Sequence, residues 1–456
     1  MSTIAISSRA HYFYRMKYRL FLGLLLVLAV PNSYSRTWTE AGTGKKIEAD
    51  FVSADATSVK ITVRGGASFT LELSRLSPED QAFIQQQATP ASKPVRSESK
   101  IKDRFEEVKK LTAEDIPVSG EEHPTLAAVD AAIRQFMAEK GVPSVTFAIS
   151  KNGKVVHDRA FGWADSGMKT PLQPGVKMRI ASMTKPVVKV AIQTLIAEGK
   201  LKAEDLVFTV LDLAQYPEAK GCDPRWKNVT IQHLLDHKGG WDRDASGDFT
   251  TRSTLMTDLF RLKPDELEPM HVVRYGLTLP LDFDPGAKEV YCNYGYILLV
   301  RVIEKLSGQK FVDYLQATVC KTANAPSFSL SSSDARERQA GEIWYCYHPE
   351  YSKEQIPLPF RTEARDGAGV LACTAADYCR FLDAYWISGL PRKPGARYSY
   401  TFNGSHPGVT AICAQRADGI NYAAIANRRE GGKADWNGDL RKLIDAALNK
   451  VAAELK

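Results

Sequence analysis

The spacing of apolar and polar residues predicts a small β-rich unit near the N-terminus. Between residues 36 and 85, short runs such as VKITV at 59–63 and FTLEL at 69–73 alternate or cluster as strands do, and glycines separate them. Ser77, Pro78 and the two acids that follow have the order of a helix start. We therefore expect a few strands that are closed by a short helix.

The stretch that follows has a different character. Residues 86–122 are polar, carry mixed charges and include Pro90 and Pro94. Such a composition favours a linker, with one helical piece predicted at 101–111.

The remaining residues, 123–456, predict one large mixed domain. Asn152-Gly153 and Asp418-Gly419 each separate two apolar runs, as in β-hairpins, and amphipathic helices are expected near 126–139 and 436–455. Helical and loop-rich sequence fills 182–390. This pattern predicts an α/β (α+β) fold, in which both ends of the domain build one antiparallel sheet. Helices from the two ends of the domain lie on one face of the sheet, and an all-helical subdomain lies on the other face.

Composition supports a globular protein without a nucleic-acid role. The chain has 456 residues, of which 44% are hydrophobic and 25% charged. That excludes a disordered, collagen-like or coiled-coil chain. The formal net charge of +7 is spread along the sequence and gives no concentrated basic face.

The N-terminus has the pattern of a secretory signal. Arg15, Lys17 and Arg19 precede the apolar run at 20–30, and small residues lead to a predicted cut after Ser35. The run is shorter than the roughly 20 residues that span a bilayer. The mature chain is thus expected to be secreted or periplasmic and to have no membrane span. In that compartment the seven cysteines could form disulfides, whose pairing the sequence leaves open.

One Ser-x-x-Lys pattern stands apart from the others. The pattern begins at five serines: Ser97, Ser99, Ser166, Ser182 and Ser307. Only Ser182 opens a predicted helix, where free backbone N–H groups and the helix dipole favour an oxyanion. Lys185 follows one turn later on the same face and could exchange a proton with the hydroxyl. Taken alone, the pair also fits a capping serine beside a surface lysine.

The surrounding residues carry a family resemblance. RIASMTKP at 179–186 resembles the nucleophile motif of the serine β-lactamase and penicillin-binding-protein superfamily. It is most similar to the group of class C β-lactamases, D-Ala-D-Ala carboxypeptidases and related esterases. LLDHKGG at 234–240, YCN at 291–293 and GAGV at 367–370 resemble, in the same order, further landmarks of that group. The resemblance covers nearly all of 123–456 and agrees with the predicted fold.

The resemblance implies a mechanism without a metal or organic cofactor. Ser182 would be the acylated nucleophile, and Lys185 and Tyr291 would be the pair that moves its proton. Asn293 would position the amide or carbonyl of the substrate. His233 and His237 are spaced as in zinc helices, but the intervening Glu of such motifs is missing, so we interpret both as structural.

The third motif of the family can be aligned in two ways. FNG at 402–404 makes Gly404 the motif glycine and puts Phe402 where the family has a cation. The N–H groups of Ser182 and Ser405 would then form the oxyanion hole, with Asn403 and His406 beside the substrate. HPG at 406–408 restores a His-x-Gly but places Pro in a strand. We prefer the first alignment, which favours a neutral ester or amide; either His406 replaces the missing cation from the loop, or no residue does.

The N-terminal unit has a resemblance of its own. RTWT at 36–39, GKKIEADF at 44–51 and LSPEDQ at 76–81 are similar to the SLA-type homology domain (SHD), a family with an SH3-like fold. The resemblance implies a protein or cell-envelope partner for this module.

Two functions fit the whole sequence. The first is a secreted serine hydrolase that acts through an acyl-enzyme on an ester, amide or β-lactam-like substrate. The second is a catalytically degenerate protein of the same family that binds a cell-wall peptide or other acyl ligand.

Overall fold

The structure of the protein, a computed structural model, describes residues 35–54, 57–63, 68–88, 108–332, 339–345, 361–393, 395–429 and 434–455. The chain divides into two compact units, residues 1–101 and 102–456. The predicted signal segment before Ser35 lies outside the described residues, as does Cys346. No helix among the described residues is long and apolar enough to cross a bilayer.

The first unit is a four-stranded antiparallel meander with a closing helix. Its elements are β1 (Ser35–Thr39), β2 (Lys46–Ala54), β3 (Ser58–Val63), β4 (Ser68–Glu72) and α1 (Pro78–Ala88). Trp38, Val59, Ile61 and Ile84 are buried together, and the Trp38 indole donates to the Ala49 carbonyl at 2.9 Å. The Ser77 hydroxyl accepts the Asp80 N–H at 3.2 Å, which confirms the predicted helix start.

The strands of the second unit form a large and a small sheet. They are β5 (Val118–Ser119), β6 (Ser144–Lys151), β7 (Lys154–Gly162), β8 (Met178–Arg179), β9 (Ser329–Leu330), β10 (Leu371–Cys373), β11 (Tyr400–His406), β12 (Val409–Gln415) and β13 (Ile420–Ala426). The large antiparallel sheet has the order β11-β12-β13-β6-β7-β5, and the small one the order β8-β10-β9.

The predicted hairpins and the predicted pairing of distant strands are confirmed. Asn152 and Gly153 both have positive φ, 54° and 82°, as a type I′ turn requires. The strands β6 and β13 pair in the middle of the sheet, with Val145 opposite Ala426. The sheet therefore joins the two ends of the unit, as the sequence pattern indicates.

The helices of the second unit cover both faces of the large sheet. They are α2 (Ala127–Lys140), α3 (Thr184–Ala197), α4 (Val207–Val210), α5 (Ile231–Leu235), α6 (Ser253–Phe260), α7 (Pro269–Leu277), α8 (Asn293–Ser307), α9 (Phe311–Leu315), α10 (Lys321–Ala323), α11 (Asp366–Gly369), α12 (Ala375–Ala384) and α13 (Trp436–Val451). The first and last, α2 and α13, pack together on one face, where Phe136 meets Trp436 edge-on at 6.1 Å. The helix α12 packs on β6 and β13 from the other core, which also contains α3 and α8. Burial of apolar side chains from both faces stabilises the sheet.

The second unit begins before the boundary predicted at residue 123. Val108 and Ile116 are fully buried in the core with α2, and Val118–Ser119 pairs with β7 as an edge strand. The composition of 86–122 predicts a polar linker, whereas Val108, Ile116 and Val118–Ser119 pack with the second unit. Widely spaced apolar residues in a polar segment give no periodic signal, so composition alone missed their burial.

The cysteines of the described chain carry free thiols. The six are Cys222, Cys292, Cys320, Cys373, Cys379 and Cys413.

Candidate active site

Ser182 lies on a tight turn between a strand and a helix. The chain leaves β8, passes through a 3-10 turn at Ala181–Met183 and enters α3 at Thr184. Ala181 has φ of 46°, a left-handed conformation that costs an L-residue about 1–2 kcal/mol. Such strain persists only where the surrounding structure imposes it.

Two glycines allow the surrounding chain to close on that turn. A Cβ added at Gly404 would lie 2.2 Å from the Ile180 carbonyl oxygen, and one at Gly369 would lie 3.0 Å from the Ala181 carbonyl carbon. A third glycine, Gly367, approaches the Tyr296 carbonyl of α8 in the same way, at 2.0 Å. The glycine-rich stretch and the β11 glycine are thus explained by backbone approaches that a side chain would prevent.

Tyr291 and Lys185 both lie within hydrogen-bond distance of the Ser182 hydroxyl. Tyr291 Oη is 2.6 Å from Ser182 Oγ, and Lys185 Nζ donates to the same oxygen at 3.3 Å. Lys185 Nζ also lies 4.8 Å from the centre of the Tyr291 ring. Hydroxyl, phenol and amine therefore form one hydrogen-bonded cluster.

Lys185 is fully buried, and three acceptors surround its amine. Besides Ser182, Nζ donates to Asn293 Oδ1 at 2.8 Å and to the Ala368 carbonyl at 2.6 Å. An ammonium has three protons, so this environment satisfies the charged form. Burial nevertheless lowers the pKa of Lys185, while the interaction with Tyr291 acts in the opposite direction.

The histidine of the LLDHKGG segment supports the Tyr291 side of the cluster. His237 Nδ1 accepts the Cys292 N–H at 3.2 Å, and its ring lies 4.8 Å from the Tyr291 ring. Burial, together with the charges of Lys185 and Lys189, lowers the pKa of His237 to about 3. His237 is therefore a neutral acceptor that holds the chain just before α8. His233 instead caps α5, accepting the Thr230 N–H at 3.3 Å.

Cys292 is not a reactive thiolate. Burial raises the pKa of its thiol to about 12, so the group stays protonated at neutral pH.

A cavity opens beside Ser182. The described residues that line it are Ala181, Ser182, Asn293, Thr362, Arg365, Ala368, Gly369, Val370, Ser405 and His406. This places Ser405 and His406 in the same cavity as Ser182. The Pro407-Gly408 pair of the rival alignment forms the turn between β11 and β12, and there Gly408 has φ of 75°.

The structure places three residues of the predicted third motif relative to this cavity. Phe402 packs against the main core and is absent from the described lining residues. Asn403 is also absent from that lining; it is exposed and, next to Gly404 on a strand, faces the other side of β11. His406 lines the cavity, and burial together with the charges of Arg179 and Arg365 lowers its pKa to about 3, which favours the neutral imidazole.

The cation on this wall is Arg365, which the sequence reasoning missed. Arg365 is buried; its guanidinium donates to Asp248 Oδ2 and to Thr250 Oγ1, both at 3.0 Å. Its position two residues before Gly367 is a usable signal, because the glycine-rich stretch lies against the turn that carries Ser182. Its partner Asp248 is 117 residues away in the chain, so no local pattern links the two.

Comparison with known proteins assigns the family. The sequence model of the Beta-lactamase family matches residues 129–413. The chain is 29% identical over 198 residues to the esterase EstB of Burkholderia gladioli, covering 43% of this chain and 49% of that protein. It is 25% identical over 259 residues to penicillin-binding protein 4* of Bacillus subtilis, covering 55% and 54%. The chain thus spans about half the length of these curated relatives.

Solved structures agree on the fold. The D-amino acid amidase of Ochrobactrum anthropi, in complex with L-phenylalanine amide, superposes with a TM-score of 0.56 at 18% identity. The match covers 73% of this chain and all of that one. The protein belongs to the Beta-lactamase family and has the fold of the serine β-lactamases and penicillin-binding proteins.

Proposed function

We propose that the protein is a serine hydrolase that acts through an acyl-enzyme on an ester or amide. The observation that carries the proposal is the contact of one hydroxyl with two proton-exchanging groups: Ser182 Oγ lies 2.6 Å from Tyr291 Oη and 3.3 Å from Lys185 Nζ. A serine becomes a nucleophile when an adjacent base takes its proton.

The geometry supports the following acylation step. Ser182 Oγ attacks the substrate carbonyl carbon while its proton passes to the Tyr291–Lys185 pair. The negative oxygen of the tetrahedral intermediate accepts hydrogen bonds from the Ser182 and Ser405 N–H groups at the helix start and the edge strand. The intermediate collapses, the carbon–leaving-group bond breaks, and the pair returns the proton to the leaving group. Water then repeats the sequence on the acyl-enzyme.

The part of the cavity lined by Arg365 and His406 favours a substrate without a carboxylate. Arg365 is paired with Asp248 at 3.0 Å, so much of its charge is already compensated. His406 is neutral, since its pKa is about 3. A neutral acyl ester or amide therefore suits the cavity better than a penicillin or a peptide with a free C-terminus.

Covalent labelling tests the proposal directly. We expect a fluorophosphonate to add one adduct to the folded protein by intact mass and peptide mapping to place it on Ser182. The Ser182→Ala protein is the control and should gain no mass. Folded wild-type protein that stays unlabelled would overturn the enzyme proposal and favour the catalytically degenerate binding protein.

Export and the role of the first unit form a separate part of the proposal. The charged and apolar N-terminal segment supports secretion with a cut after Ser35, and residues 36–85 fit an SHD-like module that contacts a protein or the cell envelope. Ile47 and Phe69 are 39% and 43% exposed on this unit, as a contact surface would require.

Two measurements address these points. Sequencing the mature N-terminus from the periplasm or medium should give Arg36 as the first residue. A truncated chain that starts at residue 102 should keep Ser182 labelling but lose co-sedimentation with the envelope fraction. Equal sedimentation of the full and truncated chains would contradict the role of the module.

A further inference from the structure

Asp248 joins two of the groups described above. It precedes the 3-10 turn Phe249–Thr251, and its Oδ1 accepts the Thr250 N–H at 3.2 Å and the Thr250 hydroxyl at 2.5 Å. Its other oxygen, Oδ2, accepts from Asn293 Nδ2 at 2.6 Å and from Arg365 Nη2 at 3.0 Å. No motif of the sequence analysis includes this residue.

The carboxylate decides which way the Asn293 amide points. An ionised carboxylate only accepts hydrogen bonds, so the NH2 end of Asn293 must face Asp248. The carbonyl end is then directed at Lys185 Nζ, 2.8 Å away, where a donor is needed. With the amide reversed, NH2 would face the ammonium and oxygen would face the carboxylate, so both contacts would be repulsive.

We propose that Asp248, balanced by Arg365, is a positioning residue that fixes the orientation of Asn293 and thereby holds the Lys185 amine beside Ser182. It touches neither the nucleophile nor the reacting carbonyl. This role deepens the hydrolase mechanism and rests on the proposed function, because only a catalytic lysine needs such placement.

The charges agree with this arrangement. Burial alone would raise the pKa of Asp248, but Arg365 and the hydrogen bonds from Thr250 and Asn293 outweigh burial and lower it, so the carboxylate is ionised. At Lys185, where burial is the main influence, Arg365 lowers the pKa further and Asp248 raises it. Asp248 and Arg365 therefore shift the pKa of Lys185 in opposite directions.

The other titratable groups around Lys185 are accounted for. Tyr291 raises the pKa of the lysine. His237 is neutral, since its pKa is about 3, and burial keeps Cys292 and Tyr296 protonated by raising the pKa of each. Removing either charge of the Asp248–Arg365 pair should therefore change the pKa of Lys185.

A titration of Lys185 that does not depend on activity tests the coupling. Protein labelled with 13Cε-lysine is titrated by NMR, and the Lys185 signal is assigned by its loss in Lys185→Arg. Asp248→Asn should lower the pKa of Lys185, because a nearby negative charge is removed. Arg365→Gln should raise it. Asp258→Asn, at an exposed residue of α6, is the matched control and should leave it unchanged.

A double-mutant cycle tests the route through Asn293. Asp248→Asn should reduce kcat for an ester about 10- to 100-fold with little change in KM, the scale of a misplaced reacting group. In an Asn293→Ala background the same substitution should cost less than twofold more, because its target is gone. Additive losses, or shifts of the Lys185 pKa in one direction for both variants, would overturn the proposal. Wild-type protein that resists the fluorophosphonate would sink the proposed function, whereas the titration would still decide the positioning role.

Discussion

The two walls of the cavity are built in different ways. Ser182 and Lys185 lie at or just before the start of α3, and Tyr291 and Asn293 at or just before the start of α8, so local spacing sets each pair within its own segment, and the packing of the two helices brings the pairs together. The opposite wall, with Arg365, Ser405 and His406, comes from a glycine-rich stretch and the edge strand β11. Its shape depends on close approach between segments that are far apart in sequence. Reactive groups on the first wall were therefore accessible to motif reasoning, whereas the character of the second wall was not.

The largest expected effect lies on the first wall. Ser182→Ala should reduce turnover of p-nitrophenyl esters to the uncatalysed background, because it removes the hydroxyl that contacts both Tyr291 and Lys185. Melting temperature should stay near that of the wild type. Ser307→Ala removes a hydroxyl from another Ser-x-x-Lys sequence, at the C-terminal end of α8, and serves as the control. If Ser182→Ala retained activity, Ser182 could not be the acylated residue and the proposed mechanism would be wrong.

A smaller but still strong effect is expected where the second wall touches the first. Gly404→Ala puts a methyl group 2.2 Å from the Ile180 carbonyl and should displace the turn that carries Ser182. Overpacking of this kind costs about 1–3 kcal/mol, and activity should fall with stability. Gly408 has φ of 75° and lies in the turn between β11 and β12. Gly408→Ala should therefore lower the free energy of unfolding by about 1 kcal/mol and leave activity unchanged. The reverse ranking in kinetics and urea unfolding would show that the HPG alignment is right.

A smaller effect is expected on the choice between neutral and carboxylate-bearing substrates, which depends on the second wall. Neutral acyl esters are expected to have kcat/KM roughly tenfold above that of penicillin or D-Ala-D-Ala peptides, since a charge-assisted hydrogen bond contributes about 1.5–3 kcal/mol where it is available. Phe402→Leu should leave this ratio unchanged, because Phe402 packs in the core. If Phe402→Leu changed this ratio of kcat/KM values, Phe402 would have to contact the substrate in the cavity.

A last prediction concerns pH and two histidines: His237, whose ring packs against Tyr291, and His406, which lines the cavity. His237 and His406 both have a folded-state pKa of about 3, against about 6.5 in an unfolded chain. Below pH 6.5 the unfolded state binds protons that the folded state excludes, so stability is present above that pH and is lost as pH falls toward 3.

The paired substitution His237→Gln and His406→Gln should flatten this dependence. Urea unfolding at pH 7, 5 and 4 should show a steeper loss for the wild type than for the double variant. Parallel curves would mean that neither histidine is held neutral by the fold.

Sequence reasoning reached the fold because its signals were local and repeated. The Asn152-Gly153 turn, the Ser77 helix start and the alternation of strands near both ends of the unit each reflect short-range rules. It failed where burial depends on partners elsewhere. Val108 and Ile116 looked like linker residues, and Phe402 was assigned to the cavity by alignment alone. Arg365 and Asp248 were missed because an ion pair between distant segments leaves no periodicity in either one.

The central pairing of β6 with β13 has a consequence for biogenesis. Val145 cannot meet Ala426 until almost the whole unit has left the ribosome, so the sheet cannot be completed during most of synthesis. Pairings of such high sequence separation make folding slow, because a long loop must close before any contact rewards it. An export pathway that carries unfolded chains would have a wide time window in which to engage this protein. The same late closure leaves one edge of β6 without its partner strand, and that edge would need protection from aggregation until β13 arrives.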